Sequence, residues 1–310
     1  MHDAFTLVLT AAPGSGAVTE AVTHAALAAL SSVQGSARWL APGDAWEVGV
    51  LAAADRLAAE RDAAVQAIGP VPVDVNIVAG DAAARRKRLL VADMESTIIQ
   101  QEMLDEMADL MGRRAEVAAV TEAAMRGELD FEGSVRQRVA LFAGFEAHRL
   151  EAILERATFM PGAETLLATM RANGAWTALV SGGFTVFAER IAAQLGFHAV
   201  HANVLEIEGG QLMGSVREPI LGPAGKAETL VRLAAEGGID LSQSVAVGDG
   251  ANDLALLATA GLGVAFRAKP VLADAARAMA NGAVVTHGDL TALLYLQGYG
   301  RHELVTRLPS

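Results

Sequence analysis

Leu89-Leu90-Val91-Ala92-Asp93-Met94-Glu95-Ser96-Thr97-Ile98-Ile99 is the stretch on which the reading of this chain turns. Four apolar residues run without interruption and stop at a carboxylate. A second carboxyl follows two residues later, then two hydroxyls. An unbroken apolar run of this length marks a strand buried on both faces of a parallel sheet; a strand with one wet face would alternate. A carboxylate at the C-terminal end of such a strand stands where open α/β sheets hold their ligands. Capping the next helix would be a plainer role for Asp93, and one residue in isolation fits either.

Three further clusters decide between them. Val180-Ser181-Gly182-Gly183 reads as a strand running into small residues that open a helix. Backbone amides of Gly182 and Gly183 can approach a phosphate there, the helix N-terminus favours the anion, and the Ser181 hydroxyl adds a donor. Gly225-Lys226 supplies a cation, and pre-placed charge stabilises a phosphoryl group in its transition state. Val247-Gly248-Asp249-Gly250-Ala251-Asn252-Asp253 supplies a second acidic pole, with two glycines flanking Asp249 and Asn252-Asp253 at a fixed offset. Mg²⁺ takes hard oxygen ligands, and Asp93 with Asp249 would provide the carboxylates, Asp253 acting at one remove or through water. A carboxylate nucleophile, an amide and hydroxyl cradle, a cation and an acidic pole are together what phosphoryl transfer requires.

Around these clusters the chain falls into two domains. Residues 1–85 read as βαβαβ: strands at 5–9, 46–51 and 73–78, helices at 18–30 and 52–68, a small α+β unit with helices on one face of a sheet. Residues 86–310 form the larger unit. Its segment of about 100–157 is helical throughout, with Met103, Met107 and Met111 on one helix face, and is inserted straight after the Asp93 strand as a cap. Alternating strands and helices then resume, with a hairpin turning at Gly209-Gly210, which predicts an α/β fold with a doubly wound parallel sheet.

The bulk numbers exclude more than they assign. A net charge of -12 leaves no basic face for nucleic acid, and the run Arg85-Arg86-Lys87-Arg88 reads as a solvated strand entry. Without cysteine there is neither disulfide nor thiolate chemistry. The seven histidines show no metal-binding spacing. No stretch of the ~20 apolar residues a membrane helix needs occurs, nor a charged leader, and the expectation is a soluble cytoplasmic protein without membrane partners.

The four clusters, in this order, resemble the haloacid dehalogenase superfamily, and the sequence of 93–144 and 180–270 is similar to its phosphoserine phosphatases. The resemblance implies a haloacid dehalogenase-like fold and a Mg²⁺-dependent hydrolase that converts O-phospho-L-serine to L-serine and phosphate through an aspartyl-phosphate on Asp93, the last step of serine synthesis. It implies that Glu95 is the acid and base, where the family normally has aspartate, and that its main-chain carbonyl joins Asp93, Asp249 and Asp253 around the metal. In the cap it implies Glu102 for the substrate ammonium, Arg138 for its carboxylate, and Met125 and Phe131 as shields against water. Arginine grips a carboxylate bidentately, and a zwitterion needs one anion and one cation in fixed places. Ser181, Gly182, Gly183, Lys226 and Asn252 would hold the phosphate. The N-terminal unit looks like an amino-acid-sensing ACT-like module, or a plain stabilising domain through which a homodimer could form. Two rival readings stand beside this one: a phosphatase or phosphotransferase for another small phosphate ester, and a non-catalytic amino-acid sensor in which Glu95 marks lost chemistry.

Overall fold

The computed structural model describes residues 3–81 and 84–306, with the side chains of Asp3 and Met125 outside the description. The N-terminal unit runs β1 (Asp3–Ala11), α1 (Glu20–Ala29), β2 (Val33–Ala41), β3 (Ala45–Ala52), α2 (Leu57–Ile68) and β4 (Val73–Ala79). Its sheet is antiparallel, in the order β2-β3-β1-β4. Side chains alternate across a strand, so each strand divides between two cores. Phe5, Leu7 and Leu9 pack beneath α1 and α2, whereas Val8 faces the other way, into a cluster shared with Leu293, Leu294 and Tyr299.

The larger unit continues with β5 (Leu89–Ala92) and the cap helices α3 (Met103–Met111), α4 (Arg114–Met125), α5 (Phe131–Ala140) and α6 (Leu150–Leu154). Next come α7 (Ala163–Ala172), β6 (Trp176–Phe184), α8 (Thr185–Leu195) and β7 (Ala199–Asn203), then the hairpin β8 (Leu205–Glu208) and β9 (Gln211–Val216). The chain ends with α9 (Pro223–Glu236), β10 (Ser244–Gly248), α10 (Leu254–Thr259), β11 (Leu262–Phe266), α11 (Pro270–Ala278), β12 (Gly282–Val285) and α12 (Ala292–Leu296). Six strands form a parallel sheet in the order β12-β11-β10-β5-β6-β7. Leu89 and Val91 point into the cluster on one face and Leu90 and Ala92 into the cluster on the other. All four are fully buried, each large side chain contributing about 1.5–3 kcal/mol. That two-sided burial is why β5 reads as an unbroken apolar run.

Several expectations need correction. The N-terminal unit is βαββαβ, because the edge strand β2 was not foreseen: seven of its nine residues are exposed and Gly35-Ser36 interrupts its pairing with β3. Strand β12 was also missed, and the hairpin begins at Leu205 because residues 201–203 belong to β7. The segment of about 100–157 is not helical throughout: from Ala147 it is a short turn followed by the five residues of α6. Ser181-Gly182-Gly183 does not open a helix; β6 runs on through Phe184 and α8 starts at Thr185.

The basic run is solvated only in part, Arg88 being exposed. Arg85 is 2% exposed and its guanidinium pairs with Glu47 of β3 and donates to Leu296 O. Arg86 pairs with Glu303 and lies over the Tyr299 ring, and Lys87 Nζ donates to Ser242 O. Across the same seam, Asp74 accepts from the amides of Thr286, His287 and Gly288, and Asn76 exchanges two hydrogen bonds with Val284.

Candidate active site

In the parallel register Ala92 stands opposite Val247 of β10 and Leu179 of β6. Within two residues of that register the three chains reach Asp93, Asp249 and Ser181, all at the C-terminal edge of the sheet. Asp93 N donates to Val247 O at 3.0 Å and Asp93 Oδ1 accepts from Met94 N at 2.8 Å. Lys226, on the first turn of α9, is 1% exposed; its Nζ is 2.8 Å from Asp93 Oδ1 and 2.7 Å from Asp253 Oδ1. Asp253 is fully buried, and its other oxygen accepts from Gly250 N. Glycine is obligatory at 248: a Cβ there would stand 2.3 Å from Asp253 Oδ2.

Three carboxylates against one ammonium leave two negative charges in a buried place. Burial first, and then the Asp253 charge, push the Asp93 carboxyl up to about 8 against the pull of Lys226. Burial pulls the Lys226 ammonium down, but Asp93 and Asp253 outweigh it and hold the group charged. Burial also raises Asp249. A divalent cation would relieve all three acids. Asp93, Asp249 and Asp253 each offer an oxygen, all within 4.8 Å of one another, a hard donor set that suits Mg²⁺. The Glu95 carboxylate is not in that set. Its Oε1 accepts from Met103 N at 2.8 Å, the first amide of α3 in the cap. Burial first, then Glu102, push the Glu95 carboxyl up to about 8.

Above this edge the cap encloses a pocket of about 410 Å³ lined by Asp93, Glu95, Glu102, Phe131, Arg138, Gly182, Gly183, Asp249 and Asn252 among others. Glu102 Oε1 accepts from Ser96 Oγ at 2.8 Å, and Ser96 holds φ +53° to present it, a conformation L residues seldom adopt. Arg138 donates to Ser134 O at 3.3 Å and, among the described residues, has no carboxylate partner. Phe131 seats on two glycines: a Cβ on Gly182 would meet its ring at 3.1 Å and one on Gly222 at 3.2 Å. Gly183 is closed in as tightly, with Glu95 Oε2 2.9 Å from where a Cβ would stand. Ser181 Oγ accepts from Gly183 N at 2.9 Å, so at this loop hydroxyl and amide meet each other.

Twelve of the thirteen residues singled out in the sequence thus stand around one pocket or in the charged floor beneath it. Met125 closes α4, and its side chain lies outside the described residues. Lining residues outside that set include Leu104, Ser134 and Lys269. The signal for Lys269 was the one used elsewhere, an apolar strand ending in polar residues, here Phe266-Arg267-Ala268-Lys269.

Residues 90–258 match the family model of haloacid dehalogenase-like hydrolases. A phosphoserine phosphatase of Streptomyces coelicolor is 47% identical over 232 residues, 75% of this chain and 55% of that protein. One from Idiomarina loihiensis is 49% identical over 184 residues, 59% of this chain and 84% of that protein. Thus the chain spans little more than half the length of the Streptomyces relative. A solved HAD family hydrolase from Salmonella enterica serovar Typhi, 28% identical, superposes with TM-score 0.80 over 94% of this chain and 98% of its own.

Proposed function

We propose that this chain, which belongs to the haloacid dehalogenase-like hydrolase family, hydrolyses O-phospho-L-serine to L-serine and phosphate with Mg²⁺ as cofactor, as the last step of L-serine biosynthesis in the cytoplasm. The observation that carries the reading is the opposition within one pocket of an acidic floor partly neutralised by Lys226 and a cap offering Glu102 and an unpaired Arg138. The floor suits a phosphoryl group bound to a cation. The cap pair suits the ammonium and carboxylate of a small zwitterion.

The Asp93 carboxylate attacks phosphorus, the bond from phosphorus to the serine oxygen breaks, and Glu95 delivers its proton to the departing alkoxide. Glu95 then takes a proton from water while the water oxygen attacks phosphorus, which frees phosphate and restores Asp93. A Glu95 carboxyl raised to about 8 is protonated at neutral pH, the form the first step needs. Bound Mg²⁺ would be held by Asp93, Asp249, Asp253 and the Glu95 carbonyl, and would supply charge neutralisation. Lys226 holds the nucleophile's orientation, and Phe131 excludes water.

Residues 1–85 are assigned as a supporting domain and 86–310 as the hydrolase, with the cap at about 100–157. A homodimer through the N-terminal unit would use helices α1 and α2 or the exposed edge of β2, because the far face of its sheet is covered by the chain's own C-terminal segment. Phosphate release is the test, measured with Mg²⁺ and with EDTA, on O-phospho-L-serine beside phosphoethanolamine, which lacks the carboxylate. Fast, Mg²⁺-dependent turnover of phosphoserine alone is expected. Equal turnover of both esters would keep a phosphatase of another small ester and discard the role of Arg138. Turnover of neither would favour the sensor.

A further inference from the structure

Lys269 takes no part in the mechanism above, yet it is the cation nearest the open side of the acidic floor. Its Nζ lies 3.4 Å from Asp249 Oδ2, and its side chain is 68% exposed where that of Asp249 is 10% exposed. The backbone beneath it is fixed. Lys269 N donates to Asp249 O at 2.9 Å, Arg267 holds φ +44° with its amide on Val285 O, and Pro270 starts α11 directly afterwards. The two lysines of the site therefore differ in kind. Lys226 is sealed in between Asp93 and Asp253, whereas Lys269 reaches in from solvent on a flexible four-carbon stem and can swing back out.

Resting on the Mg²⁺ reading given above, we propose that Lys269 competes with the divalent cation for Asp249 and so sets the protein's affinity for Mg²⁺. The floor carries two uncompensated negative charges once Lys226 is counted. Lys269 can balance one of them and a divalent ion both. The lysine therefore yields to the ion, but the ion must displace it, and that displacement weakens binding. A partly exposed pair of this kind shifts the apparent dissociation constant by roughly 1.5- to 5-fold when its charge is deleted.

The test is Mg²⁺ binding without substrate, followed by isothermal titration calorimetry and by the Mg²⁺ dependence of the melting temperature, on the full chain and its variants Lys269→Met and Lys269→Arg. Lys269→Met keeps the apolar stem and is expected to bind Mg²⁺ roughly 1.5- to 5-fold more tightly, and to melt at a lower temperature than the unaltered chain in EDTA. Lys269→Arg retains the charge and is expected to stay near the unaltered value. An equal or weaker Mg²⁺ affinity in Lys269→Met, against a clear response in the unaltered chain, would overturn the inference while leaving the metal reading standing. No Mg²⁺ response in any of the three proteins would overturn both.

Discussion

At the scale of single residues, Asp93 and Glu95 are both raised to about 8 by burial, yet the mechanism proposed above asks opposite protonation states of them. The nucleophile must be charged, so activity gained through Asp93 is present above its pKa and lost as pH falls. The acid must be protonated, so activity carried by Glu95 is present below its pKa and lost as pH rises through about 8. A cation beside Asp93 lowers that group, whereas the Glu95 carboxyl faces Met103 N and is not among the three carboxylates that would hold the ion. The pH profile of kcat/KM is accordingly expected to be bell-shaped, as a property of the coupled pair. Raising Mg²⁺ should carry its acid limb to lower pH while the alkaline limb stays in place, and Glu95→Gln should remove the alkaline limb. A steady-state pH series at two Mg²⁺ concentrations checks this. An alkaline limb that survives in Glu95→Gln would assign the acid elsewhere. Asp93→Asn preserves the acceptor for Met94 N but removes the nucleophile; turnover should fall by about 10³-fold or more with the circular dichroism spectrum unchanged.

At the scale of elements, the site is built from strand ends, and strand ends are what the sequence made legible. In β5, β6 and β10 the apolar run breaks visibly where a polar residue begins, and Asp93, Ser181 and Asp249 mark those breaks, although β6 itself runs on to Phe184. Elements without that contrast were read poorly. β2 is an exposed edge whose Gly35-Ser36-Ala37 carries no period, and the apolar run Gly282–Val285 is too short to tell strand from loop. The polar end of β11 marks the neighbourhood of Lys269 in the sequence, but its place over Asp249 follows from the order of the sheet, β11 beside β10. The glycines at strand ends are more demanding than their role as turn formers suggests. Gly248→Ala would set a methyl 2.3 Å from Asp253 Oδ2 and 2.4 Å from its Cγ, where no side-chain rotation escapes, since Asp253 is fully buried and tied to Lys226. Overpacking of this kind is expected to cost about 3 kcal/mol in urea unfolding and to cut turnover along with it. A Gly248→Ala protein of unaltered stability and activity would show that the Asp253–Lys226 pair is not held as described.

At the scale of the whole molecule, the N-terminal unit is joined to the hydrolase by buried charge. Glu47 on β3 accepts both Arg38 of its own sheet and Arg85 of the junction, and Arg85 reaches on to Leu296 O. Asp44 pairs with Arg301. Behind these groups Val8, Leu40 and Val78 share one core with Leu293, Tyr295 and Tyr299. A seam of this composition is specific more than it is strong: desolvating the ions offsets most of their attraction, but removing one partner leaves the other buried and uncompensated, at a cost of about 3–5 kcal/mol. Glu47→Ala is therefore expected to destabilise the entire chain by that amount, and Glu47→Met combined with Arg85→Met to recover most of it. The tryptophans allow the two units to be followed separately in the same urea titration. Trp39 and Trp46 lie in the N-terminal sheet and report on it by fluorescence once Trp176→Phe has removed the tryptophan of β6, while the proposed phosphoserine turnover reports on the hydrolase. If the shared core makes the molecule one cooperative body, the two transitions coincide in the unaltered chain and shift together in Glu47→Ala. If fluorescence is lost at a lower urea concentration than activity, the N-terminal unit unfolds alone, and the hydrolase core stands without the contacts of Val8, Leu40 and Val78.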